Sequence, residues 1–322
     1  MTSNPGIAAP AGDDAARLEQ LSTFLRAQRS ITAKAEIHQA YAPAQALSGA
    51  VRVGDDCAAI PDGEEWLLLA AEGMLGSFVA GDPWFAGYSA VMVNLSDVAA
   101  MGGRPIAVVD VLWTPGLESA GAIWEGMSAA SAAYGVPVVG GHTTITRDGP
   151  AYLAAAVMGR ARRLITSFDA RPGDDLLMAI DLRGRWMGGN PFWNASTGAP
   201  AGRLRADMAL LPALAEDGLC HAGKDISNGG ILGTLAMLLE CSQVGAEVWL
   251  DRLPRPSDST VERWLVAFPS YGYLLSVAPA QSALVMDRFA ARDIVCAPIG
   301  RITAAPALVL GYGAARLPFL AW

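Results

Sequence analysis

Short apolar runs alternate with longer stretches of helical period along most of the chain. A Pro/Gly/Ala-rich leader predicts a disordered tail over residues 1–13, and Leu18, Leu21 and Leu25 predict a helix over 14–29. The alternation that follows is typical of an α/β protein. The predicted strands are 66–71, 105–111, 136–139, 152–158, 175–181, 246–250, 271–277, 297–302 and 306–310, and the predicted helices are 88–101, 120–134, 203–216, 229–242, 258–267 and 279–291.

A change of composition near residue 165 predicts a boundary between two domains. The chain is basic at residues 160–163 and turn-like at 171–174, and its length of 322 residues is enough for two cores. We therefore expect an N-terminal domain over residues 14–163 and a C-terminal α/β domain over residues 164–322.

Composition and charge narrow the range of partners. The chain is 52% hydrophobic and only 17% charged, which predicts apolar surface covered by a second copy, that is, a homo-oligomer. The net charge of −8 argues against a nucleic-acid partner, because nucleic-acid affinity comes largely from neutralising phosphates. Only two lysines are present, Lys34 and Lys224, and neither lies in a P-loop pattern.

The cysteines and the apolar segments predict a cytoplasmic protein. The four cysteines lie far apart with no CxxC spacing, which favours reduced thiols over disulfides or a zinc site. No apolar signal segment precedes Arg17. Residues 264–286 carry no charge, but prolines and a glycine interrupt them, so we expect strand, turn and helix there and no contact with a membrane.

Two segments combine carboxylates with apolar elements. Asp55 and Asp56 are adjacent in front of a strand, where they form either a solvated surface turn or oxygen ligands for Mg²⁺. Asn94 and Asp97 lie three residues apart on one face of a predicted buried helix. A buried carboxylate requires a partner, which is either a metal ion or a hydrogen-bonded packing contact.

Two glycine-rich segments are candidates for phosphate binding. Gly140 and Gly141 follow a predicted strand and precede Thr143, and they form either a phosphate-binding turn or an ordinary one. The segment Asp225–Gly230 runs into a predicted helix, whose free amides favour either an anion or a capping side chain from Ser227 or Asn228.

Taken together and in this order, the four segments resemble the superfamily of aminoimidazole ribonucleotide synthetase, and their motifs look most like its thiamine-monophosphate kinase branch. The matching stretches are GDDCAAI at 54–60, VNLSDVAAMGGRP at 93–105, GGHTT at 140–144 and DISNGG at 225–230. The resemblance covers about residues 48–312. The superfamily also includes selenophosphate synthetase.

The resemblance implies a mixed α/β (α+β) fold. Its N-terminal synthetase-type domain pairs its sheet with that of a second subunit to form a dimeric β-barrel, and its C-terminal domain is an α/β sandwich. ATP and Mg²⁺ are expected in the cleft between the domains, close to the homodimer interface.

The resemblance also assigns roles to residues that match the motifs. The expected metal ligands are Asp55, Asp56, Asp97 and Glu72. The nucleotide would contact Asn94, Gly140, Gly141, Thr143, Gly229 and Gly230. Asp97 and Asp225 would act in catalysis, Asp225 from the second domain.

Three departures from the kinase pattern keep several functions open. His142 and Asn228 stand where the pattern has carboxylates, and Glu72 stands where it has an aspartate. The leading hypothesis is ATP- and Mg²⁺-dependent phosphorylation or activation of an unidentified small molecule. The alternatives are a non-catalytic nucleotide-binding or scaffold protein and a true thiamine-monophosphate kinase.

The loop over residues 184–202 has no counterpart in the kinase pattern. Its Trp186, Phe192 and Trp193 could stack on a flat ligand whose polar edge contacts Asn190 and Asn194. Alternatively, the same rings pack the loop onto its own domain or onto a partner subunit.

Overall fold

The structure is a computed structural model that describes residues 11–31, 49, 51–146 and 148–322. The predicted disordered tail falls mainly on residues 1–10, which lie outside the described residues, as does Lys34. Residues 11–13 form the start of helix α1 (Ala11–Arg26).

The first half of the described chain forms a five-stranded sheet with the strand order β1-β2-β5-β3-β4. Its elements are β1 (Ala58–Asp62), β2 (Glu65–Met74), α2 (Gly76–Gly81), α3 (Pro83–Ala100), β3 (Arg104–Thr114), α4 (Leu117–Tyr134), β4 (Val138–Ile145) and β5 (Tyr152–Ala161). Strand β4 runs parallel to β3, and the other neighbouring strands are antiparallel.

Helices α3 and α4 cover one face of this sheet. They approach each other closely through glycines, since a Cβ at Gly87 would lie 2.1 Å from the carbonyl oxygen of Ile123. A Cβ at Gly126 would likewise lie 1.9 Å from the carbonyl oxygen of Trp84. Helix α3 is buried from Phe85 to Ala100, which explains why it is apolar on nearly all sides.

The opposite face of the first sheet is exposed and apolar. Because side chains alternate along a strand, one set meets α3 and α4 while the other set points outward. The outward set includes Leu69, Ile106, Val109, Trp113, Val139, Ile145, Tyr152 and Met158. Within the described residues this sheet is open, so the single chain contains no closed barrel, and the predicted barrel depends on a second subunit.

The second half of the described chain forms a seven-stranded sheet in the order β15-β14-β10-β13-β6-β12-β9, together with a small sheet in the order β11-β8-β7. Its strands are β6 (Asp175–Ile180), β7 (Arg185–Trp186), β8 (Phe192–Asn194), β9 (Ala222–Asp225), β10 (Gly245–Trp249), β11 (Phe268–Pro269), β12 (Gly272–Val277), β13 (Val295–Thr303), β14 (Ala307–Tyr312) and β15 (Ala315–Ala321). Its helices are α5 (Ala201–Met208), α6 (Leu210–Glu216), α7 (Gly230–Ser242), α8 (Val261–Leu265) and α9 (Pro279–Ala290).

Apolar layers on both sides of the large sheet confirm the predicted α/β sandwich. On β6, Leu176 and Met178 face a core that includes α1 and α7, whereas Leu177 and Ala179 face a core that includes α6 and α9. Helix α1 therefore packs on the second sheet, and Arg26 Nη2 donates a hydrogen bond of 2.7 Å to the carbonyl oxygen of Phe319.

Three predicted elements differ from the structure. The helix predicted over 203–216 is divided at Ala209 into α5 and α6, and the helix predicted over 258–267 covers only Val261–Leu265. The strand predicted over 136–139 begins at Val138 and continues through the glycines to Ile145, because that segment pairs along the parallel strand β3. Neither predicted turn at Gly140–Thr144 forms.

The uncharged segment 264–286 was predicted to form strand, turn and helix, and it folds as a helix end, the additional short strand β11, strand β12 and helix α9. Within the part of the chain that the structure describes, no helix has both the length and the apolar composition needed to cross a membrane. The four cysteines are all free thiols.

Candidate functional site

Three aspartates from distant parts of the chain converge between the two sheets. Asp56 precedes β1, Asp97 lies on α3 and Asp225 ends β9, and one carboxylate oxygen of each lies within 4.8 Å of the others. Helix α3 is held against the second sheet by Ser96, whose Oγ lies 3.1 Å from the hydroxyl of Tyr273. Because Asp97 follows Ser96 and Tyr273 pairs with Asp225, this contact joins the part of α3 that carries Asp97 to the end of β9.

Strand β9 fixes the position of Asp56 with two contacts. The ammonium group of Lys224 contacts Oδ1 of Asp56, and the amide of Asp225 donates to Oδ2 at 3.3 Å. Burial alone would lower the pKa of Lys224, but the charges of Asp56 and Asp55 outweigh it and raise that pKa. Lys224 therefore carries its positive charge inside the carboxylate cluster.

Asp97 is buried, and one of its carboxylate oxygens, Oδ2, lacks a hydrogen-bond donor among the described residues. Burial raises the pKa of Asp97 well above its ordinary value, and the charges of Asp225 and Asp56 raise it further. A buried oxygen without a donor, facing two other carboxylates, is what a bound cation satisfies.

Asp55, a predicted metal ligand, is not a member of the three-aspartate cluster. Its two carboxylate oxygens accept hydrogen bonds from the amide and the hydroxyl of Ser167 at 2.8 and 2.6 Å. Burial raises the pKa of Asp55 to about 6, and the charge of Asp56 adds to the increase, while Lys224 and Ser167 oppose it. These contacts join the segment before β1 to the second half of the chain. A hydrogen bond from the thiol of Cys241 to the carbonyl oxygen of Gly54 does the same.

Asn94 lies one turn before Asp97 on the same face of α3. Its Nδ2 donates to the carbonyl oxygens of Ala90 and Ala155 at 2.8 and 3.3 Å. Its Oδ1 is buried and has no partner among the described residues. Asn94 therefore presents a second unsatisfied oxygen on the helix that carries Asp97.

Asp110 on β3 is a buried acid that the sequence analysis missed. Both of its carboxylate oxygens lack a hydrogen-bond partner among the described residues, and burial raises its pKa. A Cβ at Gly141 on the adjacent strand would lie 2.1 Å from Oδ1 of Asp110, so only glycine fits beside it. The sequence does hold a signal for this buried acid, because Asp110 has the same strand parity as the apolar residues Val108 and Leu112 and therefore points inward with them.

The predicted nucleotide ligands Gly140, Gly141 and Thr143 lie on the exposed edge strand β4. They are not members of the three-aspartate cluster. His142, between them, is also exposed, and its Nε2 lies 3.1 Å from Oγ1 of Thr144. The structure therefore places these residues on the first sheet, beside the buried Asp110.

Gly229 and Gly230 form the start of α7 just beyond Asp225. Gly230 has a φ of 62°, and a Cβ there would lie 2.2 Å from the carbonyl oxygen of Leu265, so glycine is required. No side chain caps this helix, which excludes the predicted capping roles of Ser227 and Asn228. The amides of Gly229 and Gly230 donate to the carbonyl oxygen of Ser227 at 2.8 and 2.9 Å, so an anion at this helix start would bind the amides that follow them.

A cavity of about 630 Å³ opens beside the cluster, and Glu72 and Asn228 line it. The charge of Glu72 contributes to the raised pKa of Asp97, which places this predicted metal ligand near the cluster. Glu72 itself is exposed on β2.

The loop over residues 184–202, called the aromatic loop below, has some residues that pack on its own domain and others that line the cavity. The indole nitrogens of Trp186 and Trp193 donate to Ser259 Oγ and to the carbonyl oxygen of Asp181, both at 2.9 Å. Asn194 shapes the following turn through a bond of 2.8 Å to Thr197. The alternative that the loop packs on its own domain is therefore correct for Trp186, Trp193 and Asn194. Trp193 also borders the cavity, which Phe192 and Asn190 line.

The comparison with protein families matches both halves of the chain. A family model described as "AIR synthase related protein, N-terminal domain" matches residues 54–161, and its C-terminal counterpart matches residues 194–313. An uncharacterised protein of Synechocystis is 50% identical over 265 residues, which are 82% of this chain and 82% of that protein. A thiamine-monophosphate kinase of Rhodopirellula baltica is 31% identical over 171 residues, which cover 52% of this chain and 50% of the kinase.

Solved structures share the fold at low sequence identity. PurL of T. maritima complexed with ATP aligns with a TM-score of 0.70 at 20% identity, covering 84% of this chain and 45% of PurL. AaThiL complexed with AMPPCP and TMP aligns with a TM-score of 0.65 at 20% identity, covering 86% of this chain and 94% of AaThiL. The chain thus spans less than half of PurL, and the likeness to both structures is one of fold. The two matched regions cover more than half of the sequence, and the chain therefore belongs to the AIR synthase-related family.

Proposed function

We propose that this protein is an ATP- and Mg²⁺-dependent enzyme that phosphorylates or activates a small molecule. The observation that carries the proposal is the convergence of Asp56, Asp97 and Asp225, with Oδ2 of Asp97 buried and without a donor. Bound Mg²⁺ would supply charge neutralisation for the ATP phosphates. Members of the family include curated synthetases and kinases, and this supports the same reaction class.

Within this proposal the carboxylates have different tasks. Asp97 and Asp225 would act in catalysis by holding the cation, which would neutralise charge on the phosphates, and Asp56 would complete the set from the first half of the chain. Glu72 stands at the rim of the cavity, where its carboxylate extends the acidic surface. Asp55 positions Asp56 by holding the connecting segment on Ser167.

The nucleotide contacts proposed from the resemblance follow the two glycine segments. The start of α7 at Gly229 and Gly230, directly after Asp225, has no capping side chain, and the backbone amides that follow Gly230 would donate to phosphate oxygens. Asn94, Gly140, Gly141 and Thr143 would contact the nucleotide from the first half of the chain. PurL complexed with ATP and AaThiL complexed with AMPPCP share this fold, which supports ATP as the ligand.

A homodimer is part of the proposal because of the uncovered face of the first sheet. That face carries large apolar side chains, among them Leu69, Trp113 and Val139, that the single chain leaves exposed. A second copy placed against this face would bury these side chains. The first sheet of each copy would then pair with that of the other to close the predicted barrel.

Calorimetric titration with AMPPCP, with and without Mg²⁺, tests the proposal together with an ATP turnover assay. Replacing Asp97 with Asn should weaken Mg²⁺-dependent AMPPCP binding by about 100-fold or more, since one cation ligand is lost. The exposed Asp217 provides the control, because Asp217→Asn breaks only a surface ion pair with Arg288. Unchanged Mg²⁺-dependent binding in Asp97→Asn would remove the basis of the proposal.

A second candidate is a nucleotide-binding protein without turnover. The contact between Lys224 and Asp56 favours it, because the chain itself supplies a cation to one of the carboxylates. Binding of AMPPCP with no ATP hydrolysis or transfer would favour this candidate. Thiamine monophosphate belongs in the same assay, since the kinase of Rhodopirellula baltica is 31% identical over half of the chain.

A further inference from the structure

The cavity beside the aspartate cluster has a chemistry of its own. It lies between α2, the start of α3, the aromatic loop and β11, and its volume of about 630 Å³ suits a small organic molecule. We infer that it binds the acceptor of the proposed reaction, and that this acceptor has a flat apolar body and is uncharged or cationic rather than phosphorylated. The inference rests on the proposed function and specifies its substrate class.

Aromatic rings from both halves of the chain form one wall of the cavity. The ring of Phe192 lies 4.8 Å from that of Phe78 on α2 and 6.2 Å from that of Phe268 on β11, measured between centroids. Phe85 on α3 completes the group at 5.7 Å from Phe78. Such a surface favours stacking against a planar ring system.

The charges on the described cavity walls disfavour an anionic acceptor. Among the described residues that line the cavity none is Lys, Arg or His, whereas Glu72 and Asp82 contribute carboxylates. Asp82 Oδ1 is already engaged with the amide of Phe85 at 3.0 Å, where it caps α3. No cationic side chain of the described lining would receive a phosphate group, which would be desolvated beside negative charge.

The position of the polar groups orients the acceptor. Glu72 and Asn228 line the cavity, and the sequence places Asn228 three residues after Asp225. The remaining walls are mainly apolar, with Met74, Met92 and Met187 among them. An acceptor with one polar end would therefore direct that end toward the aspartates and bury its ring among the phenylalanines.

Two fluorescent probes of the same shape test the charge preference. N-phenyl-1-naphthylamine is uncharged, and 1-anilinonaphthalene-8-sulfonate has the same ring system with one added anionic group. We expect the uncharged probe to bind at least about tenfold more tightly, because the described lining residues offer the sulfonate no cationic side chain. Equal or tighter binding of the sulfonate to the wild-type protein would overturn the inference.

Substitutions at the mouth of the cavity assign the signal to this place. Leu75→Trp adds bulk to an exposed lining residue and should weaken binding of the uncharged probe by about tenfold, whereas Leu284→Trp on the exposed side of α9 should not. Ser77→Lys adds a cation to the lining and should raise the affinity for the sulfonate by about threefold or more. If Leu75→Trp left the affinity for the uncharged probe unchanged, the probe would not bind in this cavity.

Titration of AMPPCP into the complex with the uncharged probe separates this inference from the proposed function. If the cavity holds the acceptor, AMPPCP binds without displacing the probe. Displacement would show that the cavity belongs to the nucleotide and would overturn the inference alone. Absence of AMPPCP binding would instead refute the proposed function, while the preference between the two probes would still decide the chemistry of the cavity.

Discussion

Lys224 contacts Oδ1 of Asp56, and the two side chains are only 3% and 5% exposed. The partners are far apart in sequence, and their pairing joins the segment before β1 to the second sheet. The ammonium group also lowers the pKa of Asp97 and of Asp55, which burial and their acidic neighbours raise. One internal positive charge therefore makes the crowding of carboxylates tolerable.

Lys224→Met should destabilise the protein by about 3 kcal/mol, because a buried carboxylate left without its partner loses its compensation. The double variant Lys224→Met/Asp56→Asn removes both charges and should regain most of that loss. Urea unfolding at pH 7 measures both effects. If the double variant were as unstable as the sum of the two single variants, the ion pair would not be the cause.

Asp97→Asn should stabilise the protein in the absence of divalent cations. The raised pKa of Asp97 means that the folded state disfavours its charge, so the stability deficit grows as the pH rises above the ordinary carboxyl range. The advantage of the variant over the wild type should therefore be larger at pH 8 than at pH 5.

Unfolding in the presence of saturating Mg²⁺ is the complementary measurement for Asp97. Mg²⁺ should stabilise the wild-type protein against unfolding and should have little effect on Asp97→Asn, since a ligand that binds only the folded state adds to its stability. A wild-type protein that is no more stable at pH 8 with Mg²⁺ than without it would contradict the proposed role of Asp97.

Local patterns were sufficient to predict the two helices at the site, α3 and α7, but not strand β9, which carries Lys224 and Asp225. The buried helix α3 follows from its continuous apolar sequence, and its period places Asn94 and Asp97 on one face. The glycine-rich start of α7 was also predicted to within one residue. These features depend on neighbours in sequence, which is why the sequence is informative about them.

Contacts between distant segments could not be predicted in the same way. No spacing rule indicates that Asp55 binds Ser167, or that Lys224 contacts Asp56. Strand β4 continues through two glycines that favour a turn because pairing with β3 outweighs their local preference. The aromatic wall of the cavity likewise exists only after α2, β8 and β11 are brought together.

Trp113→Glu should weaken the proposed homodimer by at least about tenfold, since it places a charge on the apolar face of the first sheet. Leu284→Glu changes an exposed leucine on α9, outside that face, and should leave the assembly unaltered. Sedimentation over a range of protein concentrations gives the dissociation constant. A wild-type chain that sediments as a monomer at all concentrations would refute the dimer.

Gly230→Ala tests whether the start of α7 has the conformation that the site requires. The residue has a φ of 62°, and an added Cβ would meet the backbone of Leu265 at 2.2 Å, so the loop must move. We expect a loss of about 3 kcal/mol, which combines the left-handed backbone with overpacking. Gly202→Ala, on α5 with open space around it, should instead be neutral or stabilising by about 0.5 kcal/mol.

The same pair of variants separates stability from binding at this helix start. Under conditions in which both remain folded, the displaced amides of Gly230→Ala should bind AMPPCP at least about tenfold more weakly, because phosphate oxygens require those donors in place. Gly202→Ala should bind it as the wild type does. If Gly230→Ala lost stability but kept full affinity for AMPPCP, the amides at the start of α7 would not contact the phosphates, and the nucleotide would have to be held by α3 and β4 alone.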